Sequence, residues 1–174
     1  DSIFLEHAYE DKAFPIGEGQ TISQPYTVAF QTQELEVRHG SKILEIGTGS
    51  GYQAAILCKL GARVYSIEYN ETLYNRTRKF LPKMGYKPTL LLGDGSMGYP
   101  KYAPYDGIVV TAGAPNLPKE LVKQLKVGGV LIIPVGDQKM QRMMKVKKVS
   151  ENKIVKKEYS NFAFVPLRGQ DGWK

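Results

Sequence analysis

The sequence predicts an α/β fold: a doubly wound, mostly parallel sheet of seven strands, with an antiparallel hairpin at its C-terminal edge. Three observations carry that prediction. From Lys42 onward, short β-branched runs alternate with helical stretches, the signature of βαβ units. A glycine-rich turn, "EIGTGSGY", joins the first such run to the first such helix. Near the C-terminus, two alternating runs flank the turn "SENK", which predicts a pair of antiparallel strands.

Each element has a local reason. Residues 25–37 are helical in pattern, with Val28, Leu35 and Val37 among the apolar positions. This helix is expected to cover the sheet and to leave "GQTIS" as an approach loop. "KILEI" at 42–46 reads as the first strand, and a helix over 52–60 stops at Gly61. "RVYSI" at 63–67 is the second strand, and Asn70 is placed to cap a helix over 71–80, ahead of Pro82. "TLLL" at 89–92 and "DGIVV" at 106–110 follow as strands. Pro118 suits the first position of a helix running to Leu125, after which Gly128 and Gly129 release the chain into "VLIIPV" at 130–135. Runs at 142–149 and 154–165 form the edge hairpin. No repeat, low-complexity tract or long linker divides the 174 residues, so one domain is expected. Within it, residues 1–40 supply the approach loop and covering helix, 41–136 the ligand-binding core, and 137–174 the hairpin and a substrate rim.

Composition excludes several classes. Cys58 is the only cysteine, so no internal disulfide forms, and no Cys/His cluster has metal-ligand spacing. The longest apolar run, 130–135, is far short of the roughly 20 residues a membrane helix needs. A soluble, cytoplasmic, monomeric protein without membrane contact is expected. The net charge of +7 raises nucleic acid as a partner, but much of the excess falls at 139–157, on the predicted hairpin. Lysines there protect a sheet edge from pairing, and no aromatic interleaves with them to stack bases. A partner other than nucleic acid is therefore expected.

The glycine turn, with Gly47, Gly49 and Gly51, sits between strand and helix, where backbone approaches a ligand closely. It lacks the third glycine of a dinucleotide fingerprint, because position 52 is Tyr. Alone it is an ordinary tight turn. Three carboxylates accompany it at successive strand ends: Glu45, Glu68 and Asp94. Glu68 is placed to accept from ribose hydroxyls and Asp94 from an adenine amine. Such crowding repels a diphosphate and suits a ligand carrying an adenosine, an ammonium and a sulfonium, whose one carboxylate meets the turn's N–H groups. S-adenosylmethionine fits that description.

In order and at matching separations, "IGEGQTISQPYTVA", "ILEIGTGSGYQAAIL", "LLLGDGSMGY", "PYDGIVVTAGAP", "LKVGGVLIIPVG" and "FVPLRG" resemble protein-L-isoaspartate O-methyltransferases, from about Tyr9 to Trp173. "TISQP" and "GDGSMGY" are the stretches most specific to that family; the glycine motif specifies only a methyltransferase. The resemblance implies a Rossmann-like, S-adenosylmethionine-dependent enzyme that methylates the free carboxylate of isoaspartyl residues in damaged proteins and peptides, starting repair through a succinimide. It implies that Glu45, Gly47 and Gly49 line the methionine end of the cofactor, Glu68 its ribose, and Asp94 with Gly95 its adenine. Ile22, Thr48, Gly51 and Tyr69 join the same set. Thr21 and Ser23 fall on the family's active-site loop, with Ser23 as its serine. Two departures stand out: members carry more helical sequence ahead of "AYEDKAFPIG", and Glu18 replaces an aromatic or apolar residue.

The stretch "GQTISQPYTVA" offers hydroxyls and no base. An isoaspartyl carboxylate titrates near about 3 to 4, so at neutral pH it is already the nucleophile; a lysine amine would cost roughly 4 to 5 kcal/mol to deprotonate. What remains is alignment, and good orientation supplies about 7 to 11 kcal/mol. Ser23 is expected to steer one carboxylate oxygen without quenching its charge. The competing reading is that Ser23 and Thr21 cap the helix that starts near Pro25. The tail "FAFVPLRG" is expected along the rim, with Val165, Leu167 and Arg168 facing substrate and the backbone free to pair with a peptide. Three rival functions stay open: a methyltransferase acting on RNA or a small molecule, a nicotinamide-dependent oxidoreductase, and a non-catalytic binding module.

Overall fold

A computed structural model describes residue 7 and residues 9–174; the other positions of the predicted N-terminal stretch lie outside the described residues. Seven strands form one sheet: β3 (Lys42–Ile46), β4 (Arg63–Glu68), β5 (Thr89–Leu92), β6 (Tyr105–Val110), β7 (Leu125–Gly136), β8 (Gln141–Ser150) and β9 (Lys153–Phe162). Their spatial order is β5-β4-β3-β6-β7-β8-β9, parallel through β7 and antiparallel across β8 and β9. The order reverses at β3, between β4 and β6, which is where ligand crevices open in such sheets.

Strand alternation builds the core on both faces. Leu44, Ile46, Ile108, Val110, Leu131 and Ile133 pack on one side. Ile43, Val109, Val130, Ile132 and Met143 pack on the other, beneath helices α1 (Pro25–Glu34) and α2 (Tyr52–Lys59). The covering role of α1 is specific: buried Gln31 sends Nε2 to the carbonyl of Val110, 2.9 Å away, at the end of β6. Helix α3 (Glu71–Phe80) is capped as predicted, Asn70 Oδ1 accepting from the Leu73 amide at 3.0 Å.

Several boundaries differ from the expectation. Helix α1 stops at Glu34 rather than Val37, because Leu35 turns into the core and Glu36 takes a left-handed φ of 56°. Pro118 precedes α4 (Lys119–Lys123) as its cap residue instead of opening it, its ψ of 120° being extended. Strand β7 begins at Leu125, not Val130: Leu125 pairs with Tyr105, and residues 126–129 bulge out before Val130 rejoins opposite Gly107. Strand β9 ends at Phe162 and not at Val165, since the chain leaves the hairpin to reach Gly113. A small hairpin, β1 (Pro15–Gly17) and β2 (Gln20–Thr21), stands where only a loop is predicted.

Candidate active site

The crevice at the carboxyl ends of β3, β4 and β6 is a cavity of about 480 Å³. Its walls include Thr21, Ile22 and Ser23 from the segment before α1, and Glu45, Gly47, Thr48 and Gly49 around the end of β3. Glu68 comes from the end of β4 and Tyr69 from just beyond it, Gly95 from the turn after β5, and Val165, Leu167 and Arg168 from the tail. Donor-side and acceptor-side residues predicted from the sequence thus share one space.

The wall around β3 is interlocked. Glu45 is fully buried; its Oε2 accepts from Ser66 Oγ at 2.5 Å, and Ser66 Oγ lies 2.6 Å from Thr48 Oγ1. Among the described residues Glu45 Oε1 makes no hydrogen bond of good geometry and no cation pairs with this carboxyl, the nearby Ala54 amide being a minor influence. Desolvation pushes its pKa from the usual carboxyl range up to about 8; the Ser66 bond opposes the shift and the Glu68 charge adds to it. Glu68 is also buried, but each oxygen takes a backbone amide: Oε2 from Gly49 at 2.7 Å and Oε1 from Asn70 at 2.8 Å. A carboxylate oxygen has a second lone pair, so Glu68 retains capacity for two hydroxyls.

The glycine turn departs from expectation in two ways. Its amides are largely committed: Gly47 donates to Ile67 O at 2.9 Å, Gly49 to Glu68, and Gly51 to Thr48 O at 2.8 Å. These three are therefore closed to an incoming carboxylate. Gly51 also does not line the cavity. It precedes α2 with φ of 84°, and a β-carbon there would sit 2.9 Å from Leu81 Cδ1, so this glycine serves packing. Gly47, with φ of 95° and its absent β-carbon aimed at Thr111 Oγ1 only 2.6 Å off, does need to be glycine beside the cavity.

Asp94 lies outside the lining as well. Its Oδ1 accepts from the Ser96 amide at 2.9 Å and Ser96 Oγ at 2.7 Å, and Oδ2 from the Gln170 amide at 2.7 Å. The carboxylate fastens the C-terminal tail over the turn after β5, and only Gly95 of that turn reaches the cavity. The same tail brings in Trp173, whose Nε1 donates to Gly113 O at 3.1 Å. Trp173, Thr111 and hairpin residues Ile16 and Glu18 are wall residues to which the sequence alone assigns no site role. Their signals were faint: "GEG" as a turn, and a solitary Trp near the C-terminus.

On the acceptor side, the capping alternative for Ser23 is not what the chain adopts. Gln24 precedes α1, and no side chain at that position caps it. The Tyr26 amide is instead satisfied by Asp11 Oδ1 at 2.9 Å, from fifteen residues upstream. Among the described residues, Ser23 Oγ has no hydrogen-bond partner, and it is half-buried at the cavity wall while Thr21 is exposed. The tail is less available than expected: Gly113 N takes Val165 O and Gly113 O takes Leu167 N, both at 2.8 Å, so this side of the segment cannot pair with a peptide. Leu167 is buried in the core cluster, whereas Arg168 is exposed at the rim with Nη1 3.4 Å from Lys174 O.

Part of the basic hairpin's charge is paired, while Lys147, Lys153 and Lys156 make no ion pair among the described residues. Lys145 bonds Glu34 and Glu36 at 3.1 and 2.7 Å, Arg142 meets Glu158 at 3.1 Å, and Lys148 reaches Leu125 O at 3.0 Å and Glu151 at 2.9 Å. Among the described residues, no group of three or more His, Cys, Asp or Glu side chains is placed to hold a metal, and no helix is long and apolar enough to cross a membrane.

Comparison with known proteins agrees with this geometry. A family model described as protein-L-isoaspartate(D-aspartate) O-methyltransferase matches residues 1–172. A protein-L-isoaspartate O-methyltransferase of Cytophaga hutchinsonii is 57% identical over 99% of this chain and 78% of its own length. One of Staphylothermus marinus is 49% identical over 98% of this chain and 80% of its own. Among solved structures, a protein-L-isoaspartate O-methyltransferase superposes with a TM-score of 0.84 at 30% identity, over 96% of this chain and 55% of that one. A putative one from Plasmodium falciparum, in complex with S-adenosyl-L-homocysteine, superposes with a TM-score of 0.77 at 26% identity, over 92% of this chain and 81% of that one. The chain belongs to the protein-L-isoaspartate(D-aspartate) O-methyltransferase family.

Proposed function

We propose that the cavity binds S-adenosylmethionine against Glu45 and Glu68, and that the segment 21–23 presents an isoaspartyl carboxylate to it for methylation, starting repair of a damaged protein or peptide. The chemistry of the wall fits this cofactor: a buried carboxyl with an unpartnered oxygen suits an ammonium or sulfonium, and a second carboxylate suits ribose hydroxyls. A diphosphate would meet the Glu68 carboxylate and a turn whose amides are largely spent. When bound, the cofactor supplies a methyl group on a positively charged sulfur. Everything else falls to the chain.

Glu68 orients the ribose while keeping the turn and the start of α3 in register through its two amide bonds. Thr48 and Ser66 fix the Glu45 carboxyl from below. Gly95 and Tyr69 border the adenine, and Ile22, Gly47 and Gly49 the rest of the cofactor. Asp94 supports this end indirectly, through the tail it anchors. Ser23 donates one hydrogen bond to the acceptor carboxylate, already ionised at neutral pH, and sets its line of attack. Thr21, Val165, Leu167 and Arg168 shape the rim, where the Arg168 charge draws acidic peptides.

The observation that carries the reading is Ser23: a half-buried residue whose hydroxyl makes no hydrogen bond among the described residues, lining the same cavity as Glu45 and Glu68. The family match supports a protein substrate over nucleic acid. We take the chain to act as one monomeric domain in the cytoplasm, away from membranes. The test is methyl-ester formation on a synthetic isoaspartyl peptide against its aspartyl twin. Transfer to the first alone is expected; equal transfer to both, or transfer only to RNA, would overturn the assignment.

A further inference from the structure

Helix α3 touches both walls of the cavity mouth through adjacent residues. Thr77 Oγ1 donates to Gly49 O at 2.6 Å, holding the glycine turn. Arg76 Nη2 donates to Ile16 O at 2.5 Å, holding the β1–β2 hairpin, and the guanidinium also runs beside Gly17, whose β-carbon would lie 3.7 Å from Nη1. Ile16 in turn faces the turn directly, since a β-carbon on Gly49 would be 3.3 Å from Ile16 Cδ1. The hairpin thus roofs the glycine turn, and α3 fastens roof and floor together.

The roof needs a fastener. Its strands are three and two residues long, and a two-stranded hairpin of that size is marginal in water. Its turn adds strain, because Glu18 takes a left-handed φ of 56° ahead of Gly19 at 66°, and Glu lacks the tolerance of Gly or Asn there. From the turn itself, Asn70 Nδ2 reaches Glu18 Oε2 only at 3.4 Å. Directly beyond β2 come Ile22, whose amide binds Phe14 O at 2.9 Å, and Ser23. Whatever holds the hairpin therefore also holds the acceptor segment.

We propose that Arg76 is a positioning residue that latches the Pro15–Thr21 hairpin over the cavity mouth, and so sets how long the methyl donor and its demethylated product stay bound. The inference rests on the cavity being the S-adenosylmethionine site, but not on the identity of the acceptor. Arg76 does not line the cavity; it acts through the hairpin carbonyl. The guanidinium is exposed, so its removal leaves the core intact.

Two measurements on the full chain test this. Hydrogen exchange of the ligand-free protein reads the latch itself: in Arg76→Ala, amides of 14–22 should exchange about fivefold faster while those of α3 and the sheet are unchanged, and Arg76→Lys should restore part of the protection. Stopped-flow release of S-adenosylhomocysteine, followed by the single Trp173 on the cavity wall, reads the consequence: release from Arg76→Ala should be about fivefold faster, with Arg76→Lys in between. Unchanged exchange at 14–22, or unchanged release from a variant with faster exchange, would overturn the latch. Failure of the wild type to bind S-adenosylhomocysteine would instead overturn the cavity assignment, and the release half of the proposal with it.

Discussion

The two halves of the cavity are built on opposite plans. On the β3–β4 side nearly every polar group is spoken for: Glu68 holds two amides, and Thr48, Ser66 and Glu45 form a chain ending in one open oxygen. On the side of residues 21–23 the hydroxyl at Ser23 is uncommitted among the described residues, and the helix end it could have capped is served by Asp11. On the assignment proposed above, the difference follows from what each side meets. A cofactor of fixed shape rewards preorganised groups, whereas a carboxylate arriving on many different proteins needs a donor that is free on arrival.

That contrast can be broken at its strongest point first. Glu68→Ala should cost about 100-fold or more in S-adenosylmethionine affinity by calorimetry, because charged hydrogen bonds contribute about 1.5–3 kcal/mol each and the turn loses its tie as well. An affinity within threefold of wild type would mean the interlocked wall is not the cofactor's.

Next comes Ser23→Ala, which should lower kcat on an isoaspartyl peptide by about tenfold to a hundredfold, the scale of one well-placed hydrogen bond, with donor affinity untouched. The split between kcat and donor affinity sharpens the comparison, since Glu68→Ala should show the reverse.

Glu45 gives a dependence on pH whose sign is fixed by burial. Its carboxyl, pushed up to about 8, stays protonated in the empty folded protein while the unfolded chain ionises in the ordinary carboxyl range. The folded state binds more protons across that interval. The stabilising contribution is thus complete below the unfolded value and lost as pH rises through about 8. A positively charged ligand favours the ionised form, so S-adenosylmethionine affinity should rise with pH, by at most about tenfold per unit, and level off above the folded value. Glu45→Gln should flatten both the affinity profile and the matching part of the Tm profile. A Glu45→Gln profile parallel to wild type would remove the proton linkage.

The smallest effect is structural. Asp11→Ala should lower Tm by about 2–4 °C, the equivalent of roughly 1 kcal/mol of helix cap, while Ser23→Ala leaves Tm in place. A fall of that size in Ser23→Ala would return Ser23 to the capping role.

These regions also differ in how far the sequence reveals them. The parallel core reads well because local and tertiary demands agree: β3 and β5 fall where periodicity puts them, and Asn70 caps α3 as its position suggests. Glu45 and Glu68 are legible for the same reason, as acids at strand ends. What escapes is decided by distant contacts. Nothing near Pro25 indicates that Asp11 would cap the helix, and the hairpin at Pro15–Thr21 is bonded to Arg76, sixty residues on. Gly51 and Asp94 sit inside recognisable motifs yet serve Leu81 and the tail, because a motif fixes the backbone path and not the neighbour that packs on it. The β9 boundary moved for a similar reason, Gly113 drawing residues 165–167 off the hairpin.

The central claim is that an acceptor already ionised is aligned by a hydroxyl, with no base in the reaction. It is tested most directly by kcat for an isoaspartyl peptide at saturating S-adenosylmethionine, measured from about pH 6 to about pH 8, well above the carboxyl range. The account predicts a flat profile in wild type and a lower but equally flat one in Ser23→Ala. A wild-type rate climbing tenfold per pH unit across that range would reveal a titrating base and contradict it.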